Sequence, residues 1–187
     1  PGEKLLVRGG TSALGRAAIA VGSYEGAEVI ATSRDASRAR SLTEQGATLA
    51  LLDDGEVAAR LNGGVDKVLE IVGTSTLRDS LKATRIGGRV CHAGFLGGGD
   101  PLAGFDPFGD LPNRVQLSFF ASLLYGSPGY PLDEIPFQTI VDRVESGDYR
   151  WTPAHIYRLD QIQEAHRLME SGRAEGKIVV EVIGDRS

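Results

Sequence analysis

"VRGGTSALGRAAIA", residues 7–20, is the stretch that decides the fold. It runs from an apolar segment through a glycine-rich bend into an alanine-rich helix. At a first strand-to-helix turn three demands meet: a tight bend, close approach of backbone N–H groups to a pyrophosphate, and close packing of helix on strand. Gly10 is expected to serve the bend, and Gly15, followed by the small Ala17 and Ala18, the packing. Ser12 stands where the middle glycine of G-x-G-x-x-G belongs, so a Cβ takes room there while a hydroxyl offers the phosphate a donor. A glycine-rich loop with no ligand would share this pattern. Its position between strand and helix, with a second strand ending about 20 residues on, favours a dinucleotide site.

Outward from this loop, apolar runs alternate with helical patterns, as in β-α-β units of a parallel sheet covered on both faces. Strands are expected at Lys4 to Arg8, Glu28 to Thr32, Thr48 to Leu52, across "VDKVLEIVG", and after the glycine turn in "IGGRVCHAG". Helices are expected at Ala13 to Ser23, through "RDASRARSLTEQGA", briefly in "EVAARL", and from Ser75 to Thr84. Residues 94–114 carry six glycines, three prolines and three phenylalanines without a period, which predicts a long loop. "VQLSFFASLLY" is expected as a sixth strand and Leu132 to Glu145 as a helix. From Trp151 onward comes a strand "AHIYRL", a helix opened by Asp160 with Gln163 as a capping box and Ile162, Ala165, Leu168 and Met169 as its buried stripe, and a strand in "GKIVVEVI". These divide the chain into residues 1–150 and a tail, 151–187.

A chain of 187 residues, 41% of them hydrophobic, has the length and composition of one folded domain. The net charge is −5 and the 20 Lys and Arg are scattered, so no basic stripe offers a nucleic-acid surface. Cys91 is the single cysteine, which leaves no disulfide framework and no zinc-ligand spacing. A reducing cytoplasm is the compartment expected. No run of about 20 apolar residues predicts a membrane span, and no charged-then-apolar leader is present.

NAD-dependent sites place an Asp or Glu at the end of the second strand, where it accepts from the ribose hydroxyls. Here that strand ends "ATSRDASR": Ser33 fills the slot, Arg34 follows, and Arg38 lies one helical turn later. The pattern suits a 2′-phosphate, so NADPH is the expected cofactor. One arginine contact of about 1.5–3 kcal/mol would shift preference roughly 10- to 150-fold. The alternative is a solvated arginine face, with Asp35 turned inward onto the ribose of NAD.

"PGEKLLVRGGTSALGRAAIAV", "VDKVLEIVG", "GGRVCHAGFLGG" and "RLDQIQEAHRLMESGRAEGKIVV", in this order, resemble the medium-chain dehydrogenase/reductase superfamily, in particular its zinc-independent quinone-oxidoreductase-like branch. The resemblance runs almost end to end. It implies an α/β fold, a Rossmann-type doubly wound parallel sheet of about six strands, with a C-terminal strand-helix-strand tail that returns to a catalytic domain encoded upstream of Pro1. It also implies where a cofactor touches the chain. Gly10, Thr11, Ser12, Ala13 and Leu14 would meet the pyrophosphate, and Ser33, Arg34 and Arg38 the adenosine phosphate. Ile71, Val72 and Gly73 would face a ribose; Gly94, Phe95 and Leu96 the nicotinamide; Ala121 and Ser122 its carboxamide. Hydride would pass between the nicotinamide and a small carbonyl, enone or quinone, and two copies would pair through the sixth-strand edge, residues 115–123.

No catalytic residue is assigned. His92 alternates along a strand between Cys91 and Ala93 and reads as a core histidine, with Cys91 structural; His155 and His166 have no paired acid. The chain alone is expected to bind NADPH and to turn over nothing. The loop also resembles that of short-chain dehydrogenases, but no tyrosine is followed four residues later by lysine, so their catalytic pair is missing. Two further readings stay open: a non-enzymatic NADPH-sensing or scaffold domain, and a fragment of a zinc-dependent alcohol dehydrogenase.

Overall fold

A computed structural model describes residues 1–95 and 97–182. Six parallel strands form the main sheet: β1 (Lys4–Arg8), β2 (Glu28–Ser33), β3 (Leu49–Leu52), β4 (Val65–Glu70), β5 (Thr84–His92) and β6 (Gln116–Phe119). Their spatial order is β3-β2-β1-β4-β5-β6, so the winding reverses between β1 and β4. Helices α1 (Ala13–Tyr24), α2 (Ala39–Gln45) and α3 (Thr74–Ala83) supply three of the crossovers, and the helix expected in "EVAARL" between β3 and β4 is a 3-10 turn, Ala58–Arg60. This is the doubly wound α/β sheet the sequence predicts.

Strand alternation builds a core on each face of the sheet. Val7, Val29 and Ala31 pack with Ile19 of α1 and Leu42 of α2. Their neighbours Leu6 and Ile30 point the other way and pack with Val68, Val90, and Leu77 and Leu81 of α3. Each buried aliphatic side chain contributes about 1.5–3 kcal/mol. Helix α1 comes close to the sheet because it carries glycine: a Cβ at Gly22 would stand 2.9 Å from Leu5 Cδ2.

Several elements differ from expectation. β5 starts at Thr84, before the glycine pair, and its register against β4 shifts between Val65 and Lys67. Gly88 makes this possible, since a Cβ there would lie 2.7 Å from Asp66 O. The long loop holds one helical turn, α4 (Pro107–Asp110), capped by Asp106, whose side chain accepts from Phe108 N–H at 3.1 Å. β6 stops at Phe119; Phe120 N–H still donates to His92 O, and then a 3-10 turn closes with Leu124 N–H on Ala121 O. The expected helix from Leu132 is divided by Pro136, which has no N–H to give and disfavours helical backbone at Ile135. A 3-10 turn, Leu132–Glu134, precedes it and α5 (Phe137–Glu145) follows.

The tail folds as β7 (His155–Arg158), α6 (Ile162–Glu170) and β8 (Ile178–Glu181). β7 and β8 pair parallel with each other, in a sheet separate from the main one. The capping contact lies two residues earlier than expected: Gln161 Oε1 accepts from Arg158 N–H at 3.0 Å, and Asp160 sits inside a 3-10 turn. Of the expected stripe on α6, Ala165 is buried, Leu168 is half-buried, and Ile162 and Met169 are exposed. No helix among the described residues is long and apolar enough to cross a membrane.

Candidate cofactor site

Every described residue of the expected site falls at the C-terminal edge of the main sheet, and reversal of the winding sets the β1 and β4 loops side by side. Ile71 N–H donates to Arg8 O, and a Cβ on Gly9 would lie 3.4 Å from Val72 Cγ2. The bend after β1 belongs to Gly9, at φ +89°, rather than to Gly10. Gly10 packs instead: a Cβ there would stand 3.0 Å from Ala31 Cβ and 3.1 Å from Leu42 Cδ2. Gly15 does what its position predicts. A Cβ on it would lie 2.4 Å from Gly9 O and 2.7 Å from Gly10 Cα, so glycine alone lets α1 start directly on the loop.

Ser12 is the N-cap of α1, and its Oγ accepts from Gly15 N–H at 3.0 Å. That bond uses a lone pair and leaves the hydroxyl proton to donate. Among the described residues the N–H groups of Ala13 and Leu14, the first two of α1, have no acceptor. They are the donors that a helix start offers to an anion. Thr11 is half-buried beside them.

At the end of β2, buried Ser33 accepts from Asp35 N–H at 3.1 Å, which again leaves its proton free. Arg34 is exposed. Asp35 does not turn inward: its carboxylate accepts from Ser37 N–H at 2.9 Å and Ser37 Oγ at 2.7 Å, capping the 3-10 turn Ala36–Arg38. These two hydrogen bonds hold its pKa below the ordinary carboxylate value. Arg38 is held by the tail, facing Glu175 at 3.5 Å and donating to Gly172 O at 3.3 Å.

The loop after β4 is fixed from beneath. Glu70, fully buried, accepts from Val72 N–H at 2.8 Å, Gly73 N–H at 3.1 Å and Thr76 Oγ1 at 3.0 Å, and also from Ser80 Oγ. Val72 O is taken by Gly97 N–H at 2.7 Å, and Gly73 at φ +140° leaves room for Gly98 O, which its Cβ would meet at 2.2 Å. Gly94 lies against Ile71 O, its own carbonyl bonded to His92 Nε2 at 2.5 Å. Phe95 is exposed, and Leu96 lies outside the described residues. Ala121 and Ser122 fall in the 3-10 turn after β6, at the far edge of the sheet. His92 and Cys91 are half-buried rather than core residues.

A buried charge network under these loops was not expected. Arg8, inaccessible to solvent, donates to Asp53 through Nε at 2.9 Å and Nη2 at 2.7 Å, and through Nη1 to Asp79 at 2.6 Å and Ser80 Oγ at 3.2 Å. Thr32 Oγ1 donates to Asp53 at 2.9 Å and accepts from Gly9 N–H at 3.2 Å. The chain of bonds therefore runs from the loop after β1 to Glu70 and the loop after β4. Burial pushes the Asp53 carboxyl up, but the Arg8 guanidinium, aided by Thr32 and Gly55 N–H, outweighs it and holds the pKa below the ordinary value. Burial likewise opposes the charge on Arg8, and Asp53 and Asp79 more than offset that, raising its pKa. A hint lay in the sequence: charged Arg8 and Glu70 end apolar strands, and the two are paired in register.

A hollow of about 540 Å³, lined by Ala17, Val21, Ile140, Val144 and Trp151 among others, lies between α1 and α5, away from these loops. Its lining is predominantly apolar, and Glu145, its charged member, would repel a phosphate. The C-terminal edge carries the donors and is the better candidate. Among the described residues no group of three or more His, Cys, Asp and Glu side chains is placed to hold a metal ion.

Known proteins share this architecture. Highly reducing polyketide synthase 40 of Fusarium mangiferae is 29% identical over 195 residues, 98% of this chain and 8% of that protein. The Escherichia coli quinone oxidoreductase, solved as a complex with NADPH, is 21% identical with a TM-score of 0.80, over 97% of this chain and 58% of that one. The CurK enoyl reductase gives a TM-score of 0.74 at 21% identity, over 97% and 55%. The chain thus spans less than a tenth of the polyketide synthase and little more than half of each solved structure. The solved quinone oxidoreductases and 2-haloacrylate reductase share this fold. Residues 28–180, from the first residue of β2 to the penultimate residue of β8, match the sequence pattern described as zinc-binding dehydrogenase, and the chain belongs to that family.

Proposed function

We propose that this chain is the cofactor-binding part of an NADPH-dependent oxidoreductase that transfers hydride to a small conjugated acceptor, a quinone, an enone or an enoyl group, or to a carbonyl. The observation that carries the cofactor choice is the end of β2. Asp35, the acid that could accept from ribose hydroxyls, is spent on Ser37, while Arg34 stands exposed beside the free Ser33 proton. A 2′-phosphate finds a cation and a donor there; a free ribose hydroxyl finds no acceptor carboxylate.

The pyrophosphate would rest on the Ala13 and Leu14 N–H groups with Ser12 Oγ donating, Gly9 making the bend and Gly15 letting α1 start directly on the loop. Ile71 to Gly73, Gly94, Phe95, Ala121 and Ser122 would line the path toward the nicotinamide. When bound, that ring supplies the hydride, and the protein's share is to orient it. The acceptor class is favoured by the quinone and enoyl reductases this fold resembles. Residues 1–150 form the NADP-binding unit in this reading, and 151–187 complete a catalytic domain elsewhere in a longer chain. The exposed residues of β6 pair two copies through segment 115–123. A reduced NADPH pool and one free thiol fit a cytoplasmic enzyme.

Calorimetric titration of the chain with NADPH and with NADH, repeated in Arg34→Ala, tests the cofactor choice. The expected result is a preference for NADPH of roughly 10-fold or more that Arg34→Ala removes. Equal affinities in the unmodified chain overturn it.

A further inference from the structure

We infer that Glu175 sets how tightly the adenosine end takes a 2′-phosphate, by holding Arg38 in an internal ion pair that the phosphate must displace. The inference rests on reading Ser33 to Arg38 as the phosphate end of the site. Arg38 is the second arginine of that end, yet it is engaged from three sides: Asp35 at 3.4 Å, Glu175 at 3.5 Å, and Gly172 O at 3.3 Å. Two of these partners come from the segment between α6 and β8, which reaches across from the tail.

The grip is loose. Arg38 Nε is buried and makes no hydrogen bond among the described residues, and both carboxylates stand farther off than a charge-assisted bond of about 2.7–2.9 Å. Arg16 Nε, on the other side of the same segment, is in the same condition, and a Cβ on Gly176 would lie 3.6 Å from it. The segment thus runs between two guanidinium groups that each keep a buried, unsatisfied donor. Glu175 itself holds φ +50°, a left-handed conformation that residues with a Cβ adopt rarely, and attraction to Arg38 favours it there. A phosphate carries more charge and more acceptor oxygens than one carboxylate, so it is the stronger ligand for the same guanidinium.

Two consequences follow for affinity. Freeing Arg38 from Glu175 opposes binding, and the displaced carboxylate then faces the entering anion at short range. For a phosphate of charge about −1.5 to −2 roughly 6 Å from a unit negative charge in a water-like medium, removing that charge strengthens binding roughly 6- to 10-fold at low salt and roughly 3-fold at about 0.1 M salt. A ligand without the 2′-phosphate gains nothing comparable.

The test uses ligands that carry only the adenosine end: adenosine 2′,5′-bisphosphate and, as control, adenosine 5′-monophosphate. The Arg38 Nε–H resonance is followed by NMR in the unmodified chain and in Glu175→Gln, with Arg38→Ala in both backgrounds read through backbone amides. The expected result is that Glu175→Gln tightens the bisphosphate 3- to 10-fold, leaves the monophosphate within 2-fold, and loses its advantage when Arg38 is alanine. Equal gains for both ligands, no gain, no Arg38 response to the bisphosphate, or a gain that survives Arg38→Ala overturns the inference. The broader cofactor reading fails separately: if Arg34→Ala leaves bisphosphate affinity unchanged while the Glu175→Gln gain persists, Arg34 is misassigned and Glu175 is not.

Discussion

Ser12 is expected to serve two purposes with one hydroxyl, and substitution separates them. Its lone pair caps α1 by accepting from Gly15 N–H at 3.0 Å, while its proton is left to donate to an anion at the unbonded Ala13 and Leu14 N–H groups. Ser12→Ala removes both. Loss of the cap costs about 1 kcal/mol, which for a chain of this size lowers Tm by roughly 2–4 °C. Loss of a charge-assisted hydrogen bond to the pyrophosphate costs a further 1.5–3 kcal/mol in binding alone, weakening NADPH roughly 10- to 150-fold. Ser12→Gly also lacks the donor, but it costs the helix only a few tenths of a kcal/mol and lets the backbone come closer to the phosphate. It should restore the melting temperature and most of the affinity. Thermal melts without ligand and calorimetric titration with NADPH read the two effects independently. An alanine variant that melts lower but binds NADPH as the unmodified chain does would refute the donor role; one that binds weakly but melts unchanged would refute the cap.

Gly15→Ala places a Cβ 2.4 Å from Gly9 O, where the neighbouring atoms are backbone and cannot step aside. Stability should fall by about 1–3 kcal/mol in urea titrations, with NADPH binding abolished, and a variant that binds normally would contradict the packing. Arg8→Met leaves Asp53 and Asp79 without their cation in the interior, an effect of about 3–5 kcal/mol, seen as a Tm lower by roughly 6–20 °C. A change below about 1 kcal/mol would show the pair to be dispensable. The Asp53 carboxyl has a folded pKa below its unfolded value of about 3.9, so its stabilisation is complete above about pH 5. It is lost as pH falls through 4 toward the lower folded value. The urea midpoint should drop over that range, less steeply in Asp53→Asn, and identical slopes in the two proteins would remove Asp53 from the account.

The parallel sheet was legible because short apolar runs, Leu5 to Val7, Val29 to Ala31 and Leu49 to Leu52 among them, recur between polar or glycine turns. The reversal between β1 and β4 was implied by the family resemblance and not by the strand pattern itself. What escaped the sequence were contacts between distant residues and local rules that compete. Arg8 reads as the solvated end of a strand, and only folding brings Asp53 and Asp79, 45 and 71 positions away, to its guanidinium. Gly9 and Gly10 are indistinguishable as letters, yet one supplies a positive φ and the other the space Ala31 needs. The apolar run after Gln116 has the composition of a longer strand, but with β5 on one side only it loses its ladder at Phe120 and turns. Arg38 was readable as a cation and not as a tethered one, because Glu175 lies 137 residues further along the chain.

The most direct test of the central claim is an amide NMR map of the chain with and without NADPH. Binding at the C-terminal edge predicts shifts centred on Gly9 to Leu14, Ser33 and Arg34, and Ile71 to Gly73, with the Ala13 and Leu14 amides moving most as they gain the acceptor they lack. Shifts confined to Ala17, Val21, Ile140 and Trp151 around the hollow between α1 and α5, with the phosphate loop unmoved, would contradict it.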